Sequence, residues 1–298
     1  MEIGISAGAG IEADLPPLRA DARQRAVTEH ILALADQAGF GAALIDAAAA
    51  GPGAASVITW PQFAHMVRAA ARGLSRRGLA EADTAGIFVQ DAVSHVLAVH
   101  AVRAAGAIAA PVRPAQTAPD IAAQLKQGRA RLLITSAGLA ELAIQAAERS
   151  WVRQVFAFGE AEGTTPFGSL LHTARHGQLQ ANGHTSHTSH TDRISHNGSN
   201  GHGSSYAAAR ALDLDGLRPD GPAPRLTRRD VVVAAPPCGD PDTYTSLLDL
   251  ALAAGATLVA APLPQVATAV GAYKGTAAIV PRGTDVPGLP AKRVLTVA

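Results

Sequence analysis

The sequence has little of several residue types that build common kinds of site. Its single cysteine, Cys238, excludes internal disulfides and zinc sites built from several cysteines, and it fits a reducing compartment. Aromatic residues make up 4% of the chain, whereas 48% is apolar and alanine is the most frequent residue. We therefore expect a sizeable core in which small side chains pack closely.

Neither basic nor acidic residues are in clear excess. Lysine plus arginine amount to 25 residues against 24 aspartates and glutamates, so the formal net charge is +1. Without a basic excess, a nucleic-acid partner is not expected. Lysine itself is rare, since Lys126, Lys274 and Lys292 are the only ones. Chemistry that requires a lysine therefore has few candidates in this chain.

Long hydrophobic runs are missing as well. No stretch reaches the length of about 18 uninterrupted apolar residues that is typical of a membrane span. The N-terminus carries acidic residues where a secretory signal has basic ones. We therefore predict a cytoplasmic protein that has no membrane partner, with residues 1–20 as a flexible leader.

Short apolar runs alternate with amphipathic segments of ten to fifteen residues over much of the chain. This alternation indicates right-handed crossovers and an α/β fold with mainly parallel sheets and covering helices. We predict four parts from these patterns and from the shifts in composition. They are a leader at 1–20, a first α/β subdomain at 21–170, a His-rich insert and linker at 171–225, and a second, incomplete α/β subdomain at 226–298.

The insert contains most of the chain's 11 histidines and almost no aliphatic residues, so we expect it to be disordered. Its repeat HTSHTSH places His184, His187 and His190 three residues apart. Closely spaced imidazoles can chelate Ni²⁺, Cu²⁺ or Zn²⁺. A flexible linker that coordinates nothing strongly is the favoured alternative, because Asp192 is the nearest additional ligand type.

Residues 59–137 resemble the N-terminal part of acyl-adenylate-forming enzymes, nearest to 4-coumarate:CoA ligase and fatty acyl-CoA synthetase relatives. In that family a Thr-Tyr pair precedes a helix with a terminal glycine, and a later helix ends in Arg-Ala-Gly-Ala before a proline-rich strand exit. The matching pieces here are Thr59, Trp60, Gly73 to Gly78, Asp83, Ala105 to Ala107, Pro111, Pro114, Gln124, Leu125, and Leu132 to Thr135.

Residues 227–262 are similar to a second family segment, in which a strand ending in Pro-Phe-Phe-His is followed by a helix and Gly-Ala-Thr-Val-Val. Asp230, Pro237 and Gly255 to Leu258 align with it. Cys238, Gly239 and Asp240 fall where the two Phe and the His belong. Since those family residues line the acyl pocket, the resemblance implies that Cys238, Gly239 and Asp240 are a remnant of a substrate pocket.

The resemblance implies motifs that the sequence does not contain. The family binds ATP phosphates with a Ser/Thr/Gly-rich loop ending in Pro-Lys-Gly, which is expected just before residue 227 and is missing. Its later adenine-binding, ribose-binding and catalytic-lysine segments are expected beyond residue 298. Adenylation holds two anions together and needs backbone N–H donors, a lysine and magnesium. We therefore predict a truncated, degenerate and non-catalytic relative that acts as a binding or protein-interaction module.

Two alternatives stay open beside this prediction. The chain is part of an acyl-CoA or aryl-acid ligase completed by another chain, or it handles metal through the His-rich segment. ATP and Mg²⁺ are expected as ligands only if activity is retained. An incomplete domain leaves apolar faces uncovered, so we expect self-association or a protein partner.

The remaining candidates have plainer explanations. Cys238 has no histidine close in sequence, so a half-buried small residue is favoured over a nucleophile. His95 and His100 lie five apart on one predicted helix, which is not the spacing of a metal pair, and packed or solvent-facing histidines explain them better. The segment 159–169 echoes a phosphate loop but has no following lysine, so an exposed turn is expected.

Overall fold

The computed structural model describes residues 18–48, 56–113, 117–172, 225–290 and 293–297, with side chains from residue 22 onward. Seven α-helices lie in these segments: α1 (Leu18–Gln37), α2 (Trp60–Arg76), α3 (Ala92–Ala104), α4 (Ala118–Gln127), α5 (Ala140–Glu148), α6 (Pro241–Ala253) and α7 (Val266–Ala272). Among the described helices, none combines the length and the apolar character that crossing a membrane requires.

The described strands form two sheets, and all but one of the strand pairs are parallel. The strands are β1 (Ala42–Asp46), β2 (Ser56–Thr59), β3 (Thr84–Phe88), β4 (Ile108–Pro111), β5 (Ala130–Ser136), β6 (Gln154–Phe158), β7 (Thr165–Pro166), β8 (Val231–Ala234), β9 (Thr257–Ala260), β10 (Ala277–Pro281) and β11 (Val294–Val297). The five-stranded sheet has the order β4-β3-β5-β6-β7, and the six-stranded sheet has the order β11-β10-β8-β9-β1-β2. The antiparallel pair is β1 with β2.

The six-stranded sheet joins segments that are far apart in sequence. Strands β1 and β2 lie within the predicted first subdomain, yet β1 pairs in parallel with β9 of the predicted second subdomain. The Thr257 hydroxyl also donates a hydrogen bond of 2.9 Å to the Ala42 carbonyl oxygen. The two parts on either side of the insert therefore share one sheet, and the division at residues 170 and 226 stays a prediction.

Helices α1, α2, α3 and α6 form a central layer between the two sheets. Their apolar residues pack on one face of the six-stranded sheet, and α2 and α3 also pack on the five-stranded sheet. The outer face of the five-stranded sheet is covered by α4 and α5, and that of the six-stranded sheet by α7. The small side chains predicted from composition allow this close layering, and alanines are frequent in all four clusters.

Helix α2 shows how local signals fix an element. Thr59 is its N-cap and, with Gln62, forms a capping box that satisfies two backbone N–H groups at the helix start. Further along, Gly73 faces the 3-10 turn Phe167–Leu170, and a Cβ atom at Gly73 would lie 2.5 Å from the Leu170 carbonyl oxygen. A side chain larger than hydrogen at this position would therefore push the helix away from the turn.

Candidate functional site

The candidate site lies where parallel strands of both sheets end. Residues 235–240, here named the Cys238 loop, connect the carboxyl end of β8 to the start of α6. Asp91 follows β3 and Arg113 follows β4 at the corresponding edge of the five-stranded sheet. In open α/β sheets, ligands bind outside the carboxyl ends of the strands, so this edge is where ligand chemistry is expected.

The three residues predicted as a pocket remnant have clear conformational roles in this loop. Gly239 has a φ of +59°, a left-handed conformation that favours glycine. Asp240 is the N-cap of α6, and its carboxylate accepts hydrogen bonds from the Thr243 backbone N–H at 2.9 Å and the Thr243 hydroxyl at 2.7 Å. These bonds hold the pKa of Asp240 below its ordinary value, so the group is ionised at neutral pH.

Cys238 is half-buried and packs at the edge of the core between the central helices and the six-stranded sheet. Burial raises the pKa of its thiol to about 11. Because the thiolate is the nucleophilic form, a thiol with this pKa is inert at neutral pH. The position agrees with the half-buried residue expected from the sequence. A role for Cys238, Gly239 and Asp240 in a substrate pocket stays a prediction.

Carboxylates dominate the immediate surroundings of the loop. The Asp91 carboxylate caps α3 by accepting a 2.7 Å hydrogen bond from the Ser94 backbone N–H. Burial and the nearby Asp240 charge raise the pKa of Asp242, and the charge of Arg113 acts in the opposite direction. A ligand anion at this edge would therefore meet three aspartates and the guanidinium of Arg113.

Beneath the loop, Tyr244 is fully buried and donates a 2.7 Å hydrogen bond to the Ala235 carbonyl oxygen. Burial raises the pKa of this phenol well above its ordinary value. Its ring contacts the His95 ring edge to face, with 5.2 Å between ring centroids. The space under the loop is thus filled by side chains of the protein itself.

A buried polar cluster continues from His95 into the central helical layer. The His95 Nε2 atom lies 2.8 Å from the Thr245 hydroxyl, and the His100 Nδ1 atom lies 2.9 Å from the Thr28 hydroxyl. Arg103 donates a 2.7 Å hydrogen bond to Asp249, whose other carboxylate oxygen lies 3.5 Å from the His100 Nε2 atom. We name Thr28, His95, His100, Arg103, Thr245 and Asp249 the buried polar cluster.

The sequence pointed to only part of this cluster. His95 and His100 were expected as packed or solvent-facing residues, and both are buried at 3% and 1% exposure. Arg103 and Asp249 were not predicted, because they are 146 positions apart and no local pattern links them. Their partnership depends on α3 lying against α6, which sequence periodicity does not specify.

The described residues contain no group of three or more His, Cys, Asp or Glu side chains that is arranged to hold a metal ion. The predicted metal ligands His184, His187 and His190 lie outside the described residues. Residues 173–224, where the resemblance places the phosphate-binding loop, also lie outside the described residues. The segment 159–169, expected as an exposed turn, contains the short strand β7 and leads into the buried Phe167.

Comparisons with known proteins agree with the fold. The sequence model of the family described as AMP-binding enzyme matches residues 37–190. No curated protein matches the chain. Among solved structures, a long-chain-fatty-acid–CoA ligase from Archaeoglobus fulgidus is similar with a TM-score of 0.62 at 18% identity, covering 86% of this chain and 51% of that chain.

Two further structures show the same likeness. A benzoate CoA ligase from Burkholderia xenovorans LB400 has a TM-score of 0.59 at 18% identity, covering 91% of this chain and 54% of that chain. An amide bond synthetase from Marinactinospora thermotolerans has a TM-score of 0.59 at 17% identity, covering 87% of this chain and 49% of that chain. The chain thus spans about half the length of these structures. The predicted α/β fold with mainly parallel sheets is confirmed.

Proposed function

Because the chain belongs to the AMP-binding enzyme family, we propose that it is a non-catalytic member that acts as a binding or protein-interaction module. The observation that carries this proposal is the charge at the carboxyl ends of the strands. Adenylation brings a carboxylate up to a triphosphate, so the site has to offer cations and free N–H donors. Among the residues that the structure describes, the edge around the Cys238 loop offers mostly carboxylates.

The lysines of the chain are placed unfavourably for such chemistry. Lys126 lies in the last turn of α4, before β5, and Lys274 lies just before β10. Both therefore sit near the amino ends of strands, opposite the edge that carries the Cys238 loop. The sequence has no lysine between these two, and Lys292 lies outside the described residues.

The N-termini of the two helices beside the Cys238 loop, α3 and α6, are also occupied. An uncapped helix N-terminus attracts phosphate through free backbone N–H groups and the helix dipole. In α3 and α6 one of these N–H groups is bonded to the carboxylate of Asp91 and of Asp240, respectively. A phosphate would have to displace a carboxylate from either position, which supports a chain that does not bring ATP and an acid together unaided.

We expect the purified chain to show no carboxylate-dependent exchange of pyrophosphate into ATP. The assay uses Mg²⁺ with benzoate and with a long-chain fatty acid, since CoA ligases for these acids are similar in structure. An active acid–CoA ligase serves as the positive control. Exchange above background by this chain alone would overturn the proposal.

The second candidate is a ligase part completed by another chain. It is favoured by the coverage, since the chain spans about half the length of the similar ligases. This candidate also predicts no pyrophosphate exchange by the chain alone. It predicts that exchange begins when a chain that supplies the remaining family motifs is added. The non-catalytic proposal predicts background exchange in both cases.

The interaction surface that we assign to this module is the β2 edge of the six-stranded sheet. Strand β2 is outermost in the strand order, so one side of its backbone is unpaired by the described strands. Val57 on this strand is 50% exposed, and Phe40, just before β1, is 89% exposed. An exposed apolar edge strand is a template for pairing with another chain, and we propose a second copy of this chain as the partner.

We expect the wild-type chain to be a dimer by size-exclusion chromatography with light scattering, and Val57→Lys to be a monomer. The new charge repels its counterpart across the paired edges. The matched control is Trp151→Ser, which removes a side chain that is 58% exposed beside the other sheet and leaves the dimer intact. A wild-type chain that is strictly monomeric and does not bind the dye ANS would count against self-association.

A further inference from the structure

A groove of about 710 Å³ lies at the opposite end of the fold from the Cys238 loop. It is bounded by α1, α2 and the C-terminal end of α3, and it reaches Glu81 and Gly106, which precede β3 and β4. Five arginines line it, and we name it the arginine groove: Arg25, Arg68, Arg72, Arg76 and Arg103. Its volume is that of a typical small-molecule site.

Three of the arginines form a stripe along α2. Arg68, Arg72 and Arg76 are four residues apart, so their side chains lie on one face of the helix. Like charges at this spacing destabilise a helix. Arg68 is neutralised by two hydrogen bonds to the Asp36 carboxylate, at 2.8 Å and 2.7 Å.

The other two arginines of the stripe have no carboxylate partner in the described part of the chain. Arg76 has a single long contact, 3.5 Å from its Nη2 atom to the His172 carbonyl oxygen. Arg72 makes no hydrogen bond or ion pair with the described residues. Two guanidinium groups on adjacent helical turns are thus open to a ligand with two adjacent anionic groups.

Arg103 adds a buried guanidinium group to the groove wall. Arg103 is 5% exposed, and its Nε atom has no hydrogen-bond partner, although its Nη1 atom donates to Asp249. The Asp249 Oδ1 and His100 Nε2 atoms also have no hydrogen-bond partner in the described part of the structure, so the unsatisfied atoms belong to the buried polar cluster. Because the Arg103 Nε atom is enclosed and its charge is paired with Asp249, contacts to a ligand fall to the exposed Arg72 and Arg76.

The remaining charges leave the groove electropositive. Arg25 is held in place by Glu81 at 2.8 Å and by the Gly106 carbonyl oxygen at 3.0 Å. Since Arg25, Arg68 and Arg103 are paired with carboxylates, the lining charges left unpaired by the described residues are Arg72 and Arg76 against Glu29. The planar guanidinium fork matches phosphate oxygens in pairs, which a lysine cannot do.

We propose that the arginine groove binds a soluble polyphosphate, a small molecule with at least two linked phosphate groups. Arg72 and Arg76 contact the phosphates through their exposed guanidinium groups. The site is separate from the strand edge at which the family's adenylation chemistry is expected, so this proposal does not depend on the non-catalytic function.

Isothermal titration calorimetry of the full chain with inorganic tripolyphosphate, at about 0.15 M ionic strength, tests the site. We expect one site per chain in the wild type and at least roughly 10-fold weaker binding in the double variant Arg72→Gln/Arg76→Gln, since two charge-assisted contacts are lost. Both positions are exposed, and glutamine has good helix propensity, so the variant is expected to fold. Circular dichroism and the melting temperature verify this.

The matched control is Arg129→Gln/Arg153→Gln, which removes the same charge from two exposed arginines beside Trp151. It is expected to bind tripolyphosphate within about 2-fold of the wild type. Absence of binding to the wild type, equal losses in the two double variants, or no loss in Arg72→Gln/Arg76→Gln would overturn the proposal. The pyrophosphate-exchange assay tests adenylation at the carboxyl ends of the strands and not binding in the arginine groove. Failure of the polyphosphate proposal is therefore distinguishable from failure of the non-catalytic proposal.

Discussion

Replacing Asp249 with alanine is expected to lower the free energy of unfolding by about 3–5 kcal/mol. The Asp249 and Arg103 side chains are 4% and 5% exposed, and 2.7 Å separates Arg103 Nη1 from an Asp249 carboxylate oxygen. Removing the carboxylate leaves the guanidinium buried without a counter-charge. The measurement is urea unfolding at neutral pH, with the midpoint and the slope fitted separately.

The exposed pair Arg68–Asp36 is the matched control. Its geometry is at least as good, since both guanidinium Nη atoms bond the carboxylate, but its side chains are 40% and 53% exposed. Solvent screens such pairs, so Asp36→Ala is expected to cost less than about 1 kcal/mol. If Asp249→Ala costs no more than Asp36→Ala, the Asp249 carboxylate is not needed to balance the buried Arg103 charge.

A second variant separates the lost charge from lost packing. In Arg103→Met/Asp249→Leu both ionic groups are replaced by apolar side chains of similar size. Buried ion pairs replaced in this way are often neutral or even stabilising, because both desolvation costs disappear. We therefore expect the double variant to regain most of the stability lost in Asp249→Ala.

Local chemistry explains how much of the fold could be predicted from the sequence. Helices α3 (Ala92–Ala104) and α4 (Ala118–Gln127) are two of the segments of ten to fifteen residues that alternate with apolar runs in the sequence. Both helices begin next to a capping side chain, and in α4 Thr117 and Asp120 form a capping box. Signals of this kind depend on residues within a few positions of each other, so a single sequence contains them.

Pairing over long distances could not be predicted in this way. Strand β11 has no such local signal, because its four residues follow a Pro- and Gly-rich turn and carry little pattern, and its pairing with β10 stabilises it. The ion pair between Glu81 and Arg25, at 2.8 Å, joins residues that are 56 positions apart. That ion pair depends on α1 reaching the loop before β3, which no local pattern indicates.

The candidate site shows the same division. The sequence indicated that Cys238, Gly239 and Asp240 depart from the family pattern, and the loop conformation explains why a glycine and a capping aspartate suit these positions. The buried polar cluster has no such signal, because its members come from α1, α3 and α6. Its contribution to the free energy of unfolding can be inferred only once the packing of these helices is known.

Acidification from pH 7 to pH 5 is expected to destabilise the chain by about 4 kcal/mol through His95 and His100. Burial lowers the pKa of His95 to about 3 and that of His100 to about 4. The Arg103 charge lowers both pKa values further, and the Asp249 charge opposes the shift. Both histidines are therefore neutral in the folded state at pH 5.

The sign follows from proton binding in the two states. An unfolded histidine has a pKa near 6.5, so below that pH the unfolded chain binds protons that the folded chain does not. Stability is fully present above about pH 6.5 and is lost as the pH falls toward 4, by about 2 kcal/mol per histidine at pH 5. The pKa values of Asp36, Asp230 and Asp240 are lowered from 3.8, so their contributions are lost only below this window.

Urea unfolding at pH 7 and pH 5 measures the effect in the wild type and two variants. His95→Gln/His100→Asn keeps hydrogen-bonding groups at both positions, and its loss between the two pH values is expected to shrink by most of the 4 kcal/mol estimated above. His65→Gln removes an exposed histidine and retains the wild-type loss. Equal pH dependence in the wild type and the double variant would show that the buried histidines do not carry the acid sensitivity.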